Sequence, residues 1–371
     1  MTVYSSKYTI ELWTKHGDRL ADLAGRVKRR VLTLSRNEPD TLEFEMDLDE
    51  FEKYCADLNV DSKDILKTGS TEVRIKRLNT YMSGGQLVYR DPVLTPNGNT
   101  VTCHVWGFLA LFAKRRTGFA DDAETELVSE VYTQAEGTWL SRTDLAWSLI
   151  NKSQNLTNGD FGITRGLTGG SATLYEKTYN RTNIKDALQA MTKLKTEPID
   201  IEFTYDKVFN TYEYRGSNKP EIVFEYPGNI IGLGAPEDAT DITNAVIGIG
   251  RGQRDGTQEE RYAVDLASQT DYELRQDLLQ TNGTDDSDGG ITDAAEAEKE
   301  AKRVPITIPA LQVDGNVAPY VTDYGIGDRV TVKVTGYPLL SDINGTYRIE
   351  KMTVTIDEND SETVTLEVSK P

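Results

Sequence analysis

The stretch Thr41-Leu42-Glu43-Phe44-Glu45-Met46-Asp47-Leu48 alternates without a break, with Leu42, Phe44, Met46 and Leu48 apolar and Thr41, Glu43, Glu45 and Asp47 polar. A period of two sends successive side chains to opposite faces of an extended chain, so this segment reads as a strand with one face in a core and the other in water. The pattern recurs on both sides of it. Tyr8, Ile10 and Leu12 alternate with Thr9 and Glu11, Val73 and Ile75 with Glu72, Arg74 and Lys76, and Val101, Cys103 and Val105 with Thr102 and His104. Asn97, Gly98 and Asn99 supply turn chemistry before the last of these, and Ser83, Gly84 and Gly85 predict a hairpin earlier. Such strands pack as an antiparallel barrel or sandwich, predicted over residues 1–117.

From 118 to 235 the period changes. Ser141 followed three residues later by Asp144 is a capping arrangement, and Leu145, Ala146, Leu149 and Ile150 then form one helical stripe. A second helix starts at Thr182 or Asn183, carries Ile184, Ala187, Leu188, Met191 and Leu194 on one side, and is over by Pro198. Extended segments follow at 199–203, 208–214 and 221–226, so the central span is α+β. Over 236–371 the acidic stretch 282–290 reads as a loop, because it lacks the apolar content that offsets ordering. Asp293 and Glu296 then open a short polar helix over 293–303 whose charge is a solvated face. Beyond it the chain is β again. Val330, Val332 and Val334, then Met352, Val354 and Ile356, then Val364, Leu366 and Val368 each keep the period of two, and Asn344-Gly345 predicts a tight hairpin between the first two. The fold class is α+β and mostly β, with a β-unit at each end.

With 371 residues, several compact units are expected. No run approaches the ~20 apolar residues of a membrane span, and Met1 to Leu12 lacks the apolar stretch of a secretory signal. The net charge of −19 is uneven: residues 1–117 hold 18 Lys+Arg against 16 Asp+Glu, leaving 23 against 44 for the rest. Gripping duplex DNA needs basic surface, so this balance argues against DNA binding over most of the chain while leaving room for DNA to pass a wall that repels phosphate.

Residues for chemistry are scarce. His16 and His104 have no metal-ligand pattern around them, and Cys103 reads as strand core. Gly248-Ile249-Gly250-Arg251-Gly252 lacks dinucleotide-loop spacing and is followed by polar Gln253 to Glu260, so it reads as a strand admitting close backbone approach. Asp285, Asp286 and Asp288 miss the register of a calcium loop. The basic runs Lys28-Arg29-Arg30 and Lys114-Arg115-Arg116 have no interleaved aromatics and read as solvated or subunit-facing patches. No catalytic, metal or cofactor residue is assigned.

Tyr324-Gly325-Ile326-Gly327-Asp328-Arg329-Val330, then Gly345-Thr346-Tyr347-Arg348-Ile349, then Glu362-Thr363-Val364-Thr365-Leu366-Glu367-Val368, resemble the closing domain of phage tail-hub proteins. Thr243-Asn244-Ala245-Val246-Ile247-Gly248-Ile249-Gly250 looks like the family's lead-in to that domain, and Arg30 to Leu48 is similar to its opening domain. The motif residues Asn244, Gly327, Asp328, Asn344, Gly345 and Arg348 encode turns and strand edges and no reaction. The resemblance implies two tail-tube-like β-barrels, residues 1–117 and 236–371, flanking a central α+β spacer at 118–235. It implies a non-enzymatic homotrimeric ring in the virion tail tip, assembled in the host cytoplasm, that joins a sixfold tube to a threefold tip and lets genomic DNA through without specific binding. Its implied neighbours are distal tail or tube proteins, the tape-measure protein and other tip proteins. The chain ends at Pro371 without a fibre or lysin-like extension, so receptor-binding or wall-degrading activity is expected on another protein. Two other classes stay open: a receptor- or carbohydrate-binding tail module, and a cell-wall hydrolase with paired carboxylates.

Overall fold

A computed structural model describes residues 7–96, 98–117, 131–133, 140–170, 172–175, 178–194, 197–234, 237–252, 258–280, 288–304, 306–307, 310–336 and 342–370. The N-terminal strands are β1 (Tyr8–Trp13), β2 (Arg19–Asp22), β3 (Val27–Ser35), β4 (Thr41–Asp47), β5 (Glu72–Arg77), β6 (Thr80–Thr95) and β7 (Gly98–Gly107). They pair in the order β2-β1-β5-β6-β7-β4-β3. Leu42, Phe44 and Met46 of β4 are buried opposite Val105, Cys103 and Val101 of β7, as their alternation predicts.

Helix α1 (Leu48–Asp57) departs from that reading. The alternation runs on into Leu48, but the Asp47 carboxylate accepts the Asp49 and Glu50 backbone N–H groups and caps a helix, sending Phe51 and Cys55 into the core from successive turns. Ser83-Gly84-Gly85 also differs from expectation, since it lies inside β6. The chain reverses at Leu78-Asn79, with Leu78 at φ +54. The two glycines serve close approach: a Cβ on Gly85 would strike the Trp106 carbonyl, and one on Gly84 the Tyr205 backbone.

The middle layer holds α2 (Arg142–Gln154), β8 (Thr164–Thr168), α3 (Ile184–Thr192), β9 (Asp200–Phe203) and β10 (Val208–Tyr212). Ser141 and Asn183 cap the two helices, accepting from the Asp144 and Asp186 N–H groups. The helical stripes predicted from sequence meet Ile201 and Phe209, together with Phe108, Leu109 and Phe112 from the 3-10 turn Phe108–Lys114. This core therefore gathers residues from Phe108 to Phe209, a different grouping from the expected central span.

The C-terminal part comprises β11 (Asn218–Tyr226), β12 (Ile230–Gly234), β13 (Ala245–Gly252), β14 (Gln258–Val264), α4 (Leu266–Tyr272), β15 (Gln276–Gln280), α5 (Asp288–Lys302), β16 (Ala310–Asp314), β17 (Arg329–Val334), β18 (Ile343–Ile356) and β19 (Glu362–Ser369). Six of these pair as β11-β17-β18-β19-β16-β12. The long strand β18 ties both ends of the chain together. Its first half pairs with β17, and its second half pairs with β3, placing Met352 opposite Leu34 and Val354 opposite Leu32. The result is one sheet of 13 strands and one core running from Tyr8 to Val368. The expectation of a mostly β, α+β chain holds. The two end units are halves of a single sheet, however, and among the described residues its path is open from β12 to β2, with no barrel closure.

A smaller layer, β14-β13-β15, carries α5 on one face. Gly248 lets the helix approach, since a Cβ there would lie 3.0 Å from Ile291 Cγ2 and 3.2 Å from Ala295 Cβ. The glycine-rich run is thus a strand with a close neighbour, as expected. The helix begins at Asp288, five residues before the predicted start, and buries Ile291 and Ala295 completely, so it is not solvated all round. The rest of the predicted acidic loop, 282–287, lies outside the described residues.

Candidate functional site

Three charged residues stand where the alternation calls for apolar ones. Arg30 precedes Leu32 and Leu34 on the core-facing side of β3, Arg77 follows Val73 and Ile75 on β5, and Glu362 precedes Val364, Leu366 and Val368 on β19. All three are buried. They lie at one seam between the chain ends. Arg77 Nε donates to Glu362 Oε1 at 2.8 Å, Lys7 Nζ reaches the same oxygen at 2.5 Å, and Arg30 Nη1 pairs with Asp360 Oδ1 at 3.0 Å. A charge at a core-phase position is the signal that sequence reading could have used, because a buried charge needs a partner.

A second junction centres on Arg36, just beyond β3, where the shared sheet meets the middle layer. Its Nε donates to Asp200 Oδ1 at 2.8 Å and its Nη1 to Glu350 Oε2 at 3.0 Å. Asp200 also accepts from Asn37 Nδ2 and the Arg215 N–H. Nearby, Lys207 pairs with Glu72, and Tyr205 stacks on Tyr81 with ring centroids 4.1 Å apart. Asp40 accepts from Ser83 Oγ at 2.7 Å and the Ser35 N–H at 3.2 Å, beside a void of about 20 Å³ shared with Phe108, Phe203 and Arg215. Burial pushes its carboxyl up to about 6, against the pull of Arg215 and the two hydrogen bonds.

The motif residues fall into separate places. Gly327, at φ +87, packs against Arg215 and Gly216 so tightly that a Cβ would strike the Arg215 carbonyl. Asp328 then clamps β11 to β17: Oδ1 accepts from the Ser217 N–H, and Oδ2 from the Gly325 N–H and Lys219 Nζ, all at 2.8 to 2.9 Å. The Arg348 guanidinium lies 5.6 Å from the Tyr214 ring centre. Asn244, fully buried, donates to the Glu273 carbonyl and accepts from the Arg275 N–H, tying β13 to the start of β15. Asn344 and Gly345 do not form the predicted hairpin. They lie within β18 opposite Lys333 and Val332, and the reversal falls between Val334 and Ile343.

No family model matches the sequence, and no curated protein does. Solved structures do match. The tail protein from Neisseria meningitidis MC58 aligns at TM-score 0.63 and 9% identity, covering 97% of this chain and 96% of its own. The 43 kDa tail protein of prophage MuSo2 from Shewanella oneidensis aligns at 0.63 and 10% identity over 98% of both chains. The fold is that of phage tail proteins. A type VI secretion component, the E. coli c3393 protein, which is structurally similar to the T4 tail proteins gp27 and gp5, shares it at 0.52 and 8% identity over 93% of this chain and 74% of its own.

In this tail-protein fold the shared sheet presents one solvent face that crosses the seam unbroken. Thr365, Thr353, Thr33 and Thr41 follow one another across β19, β18, β3 and β4, with Thr33 Oγ1 and Thr353 Oγ1 3.2 Å apart. The next rows carry Thr363, Thr355, Val31, Glu43 and His104, then Arg29, Glu45 and Thr102. Among the described residues no group of three or more His, Cys, Asp or Glu could hold a metal. Burial pushes the Cys55 thiol up to about 11 and the Cys103 thiol to about 12, so neither is a thiolate at neutral pH. No helix among the described residues is long and apolar enough to cross a membrane.

Proposed function

We propose that this chain is a non-catalytic structural component of a phage-type tail tip, a hub protomer that closes with two further copies into a ring around a DNA passage. The observation that carries the reading is the near-complete coverage, in both directions, between this chain and solved tail proteins. The joined sheet supports it physically: a ring wall must stay rigid, and here one core and two polar junctions fasten both chain ends and the middle layer together.

Within that ring, the Thr-rich face of β19, β18, β3 and β4 lines the passage. Threonine hydroxyls offer phosphates little to hold, and the cations on this face, Arg29 and Lys351, stand beside the carboxylates Glu43 and Glu367, which suits sliding without sticking. Tube, tape-measure and other tip proteins are the expected neighbours, in the virion tail. Native mass measurement with negative-stain imaging tests the proposal. Three-chain particles with a central hole are expected; a monomer at every concentration overturns it.

A further inference from the structure

Four strands of the shared sheet carry one row of hydrogen-bond donors. Asn218 of β11 pairs with Arg329 of β17, Arg329 with Arg348 of β18, and Arg348 with Ser369 of β19. Val330, Tyr347, Ile349 and Val368 beside them are buried in the core, so the alternation turns this row to the outer face. The two guanidinium groups therefore stand next to each other, and like charges in directly opposed positions destabilise a sheet unless something compensates them.

The carboxylates nearby are already engaged. Glu350 accepts from Arg36 Nη1 and Ser369 Oγ, Asp200 from Arg36 Nε, Asn37 Nδ2 and the Arg215 N–H, and Asp328 from Ser217, Gly325 and Lys219. Among the described residues neither Arg329 nor Arg348 has an ion-pairing carboxylate, whereas Arg29 and Lys351 have Glu43 and Glu367. Burial, and after it the charge of Arg36, hold the Arg348 guanidinium below its ordinary pKa, with Arg329 acting in the same direction. The group lies 5.6 Å from the centre of the half-exposed Tyr214 ring. Its Nε is shut off from water and has no acceptor. A buried N–H on a charged group is costly without an acceptor, so the pair is rich in donors and short of an anion.

We propose that Arg329 and Arg348 form a binding site for phosphate. Charge selects the ligand: two uncompensated guanidinium groups call for about two negative charges, which a phosphate group supplies near neutral pH and a single carboxylate does not. The planar forks of arginine match phosphate oxygens two at a time, and Asn218 offers a further donor at the end of the row. The same chemistry comes from two sources, a free phosphate ion or successive phosphates of a nucleic-acid strand. The site sits on the first half of β18, beyond the register shift between Ile349 and Lys351, apart from the threonine rows of the second half. It does not depend on the ring reading.

Calorimetric titration of the full chain with sodium phosphate, sodium acetate and a short DNA duplex tests the site in the wild type and in Arg348→Gln, Arg329→Gln and Arg348→Lys. Phosphate should bind the wild type, acetate should bind more weakly by about tenfold or more, and each Gln variant should weaken phosphate by a similar factor. Arg29→Gln, at a cation with its own carboxylate, should leave the phosphate affinity unchanged. Arg348→Lys keeps the charge and loses the fork and the Nε donor, so weakened binding with wild-type circular dichroism decides the matter if a Gln variant fails to fold. Duplex binding that needs both arginines identifies the nucleic-acid source, and phosphate binding without it identifies the free ion. No phosphate binding to the wild type, equal affinity for acetate, or an affinity that survives Arg348→Gln or Arg348→Lys overturns the site.

Discussion

Arg77 and Glu362 are 285 positions apart in the chain, yet Arg77 Nε donates to Glu362 Oε1 at 2.8 Å in the buried seam between the first and last strands. Removing the cation alone leaves a buried carboxylate with Lys7 and the Tyr8 hydroxyl as its side-chain neighbours, at a cost of about 3 kcal/mol or more. Arg77→Met should therefore lower the urea midpoint clearly. The double variant Arg77→Met/Glu362→Met should recover most of the loss, because two apolar side chains of similar size need no partner. An unchanged midpoint for the single variant contradicts the seam.

Asp40 makes stability depend on pH. Its carboxyl is pushed from an ordinary 3.8 to about 6 in the folded chain, so between those values the folded state binds more protons than the unfolded one. Its contribution is fully favourable below about pH 4, declines as pH rises to about 6, and is constant above. Asp40→Asn can still accept from Ser83 and lacks this dependence. The stability of the variant relative to wild type should grow by up to about 3 kcal/mol from pH 4 to pH 6.5 and then level off, measured by urea titration at each pH.

Gly327 and Gly345 look alike in the sequence and should respond differently. Gly327→Ala forces a side chain into φ +87 against the Arg215 carbonyl, costing about 2 kcal/mol or more. A Cβ at Gly345 meets nothing nearer than 3.8 Å, and the residue sits in a strand, so Gly345→Ala should be neutral to within about 0.5 kcal/mol. Chemical denaturation of the two variants checks the contrast.

Gly248→Val should push α5 away from β13, since the space is already filled by Ile291 and Ala295. Faster amide exchange in Asp288–Lys302, with β3 and β18 unaffected, is the expected outcome.

Local pattern carried the elements, and long-range pairing was hidden from it. Leu42, Phe44 and Met46 reported their strand because one face meets a core, and Ser141 and Asn183 reported helix starts through their capping chemistry. Asp47 was misleading, because a cap that follows directly on a strand continues the strand's alternation. Asn344-Gly345 has the composition of a turn, but the pairing of β17 with β18 takes it into a strand. Nothing near Leu32 or Val354 reveals that these residues are cross-strand neighbours, so two units were expected where one sheet exists. The charges at Arg30, Arg77 and Glu362 were the legible clue to that union, as core-phase positions filled by groups that demand partners.

The ring with a Thr-lined passage is tested most directly by electron cryomicroscopy of the purified assembly at side-chain resolution. The account predicts three chains with Thr33, Thr353 and Thr365 facing an open central hole. A map in which that face points outward, or packs against a neighbouring chain, contradicts it.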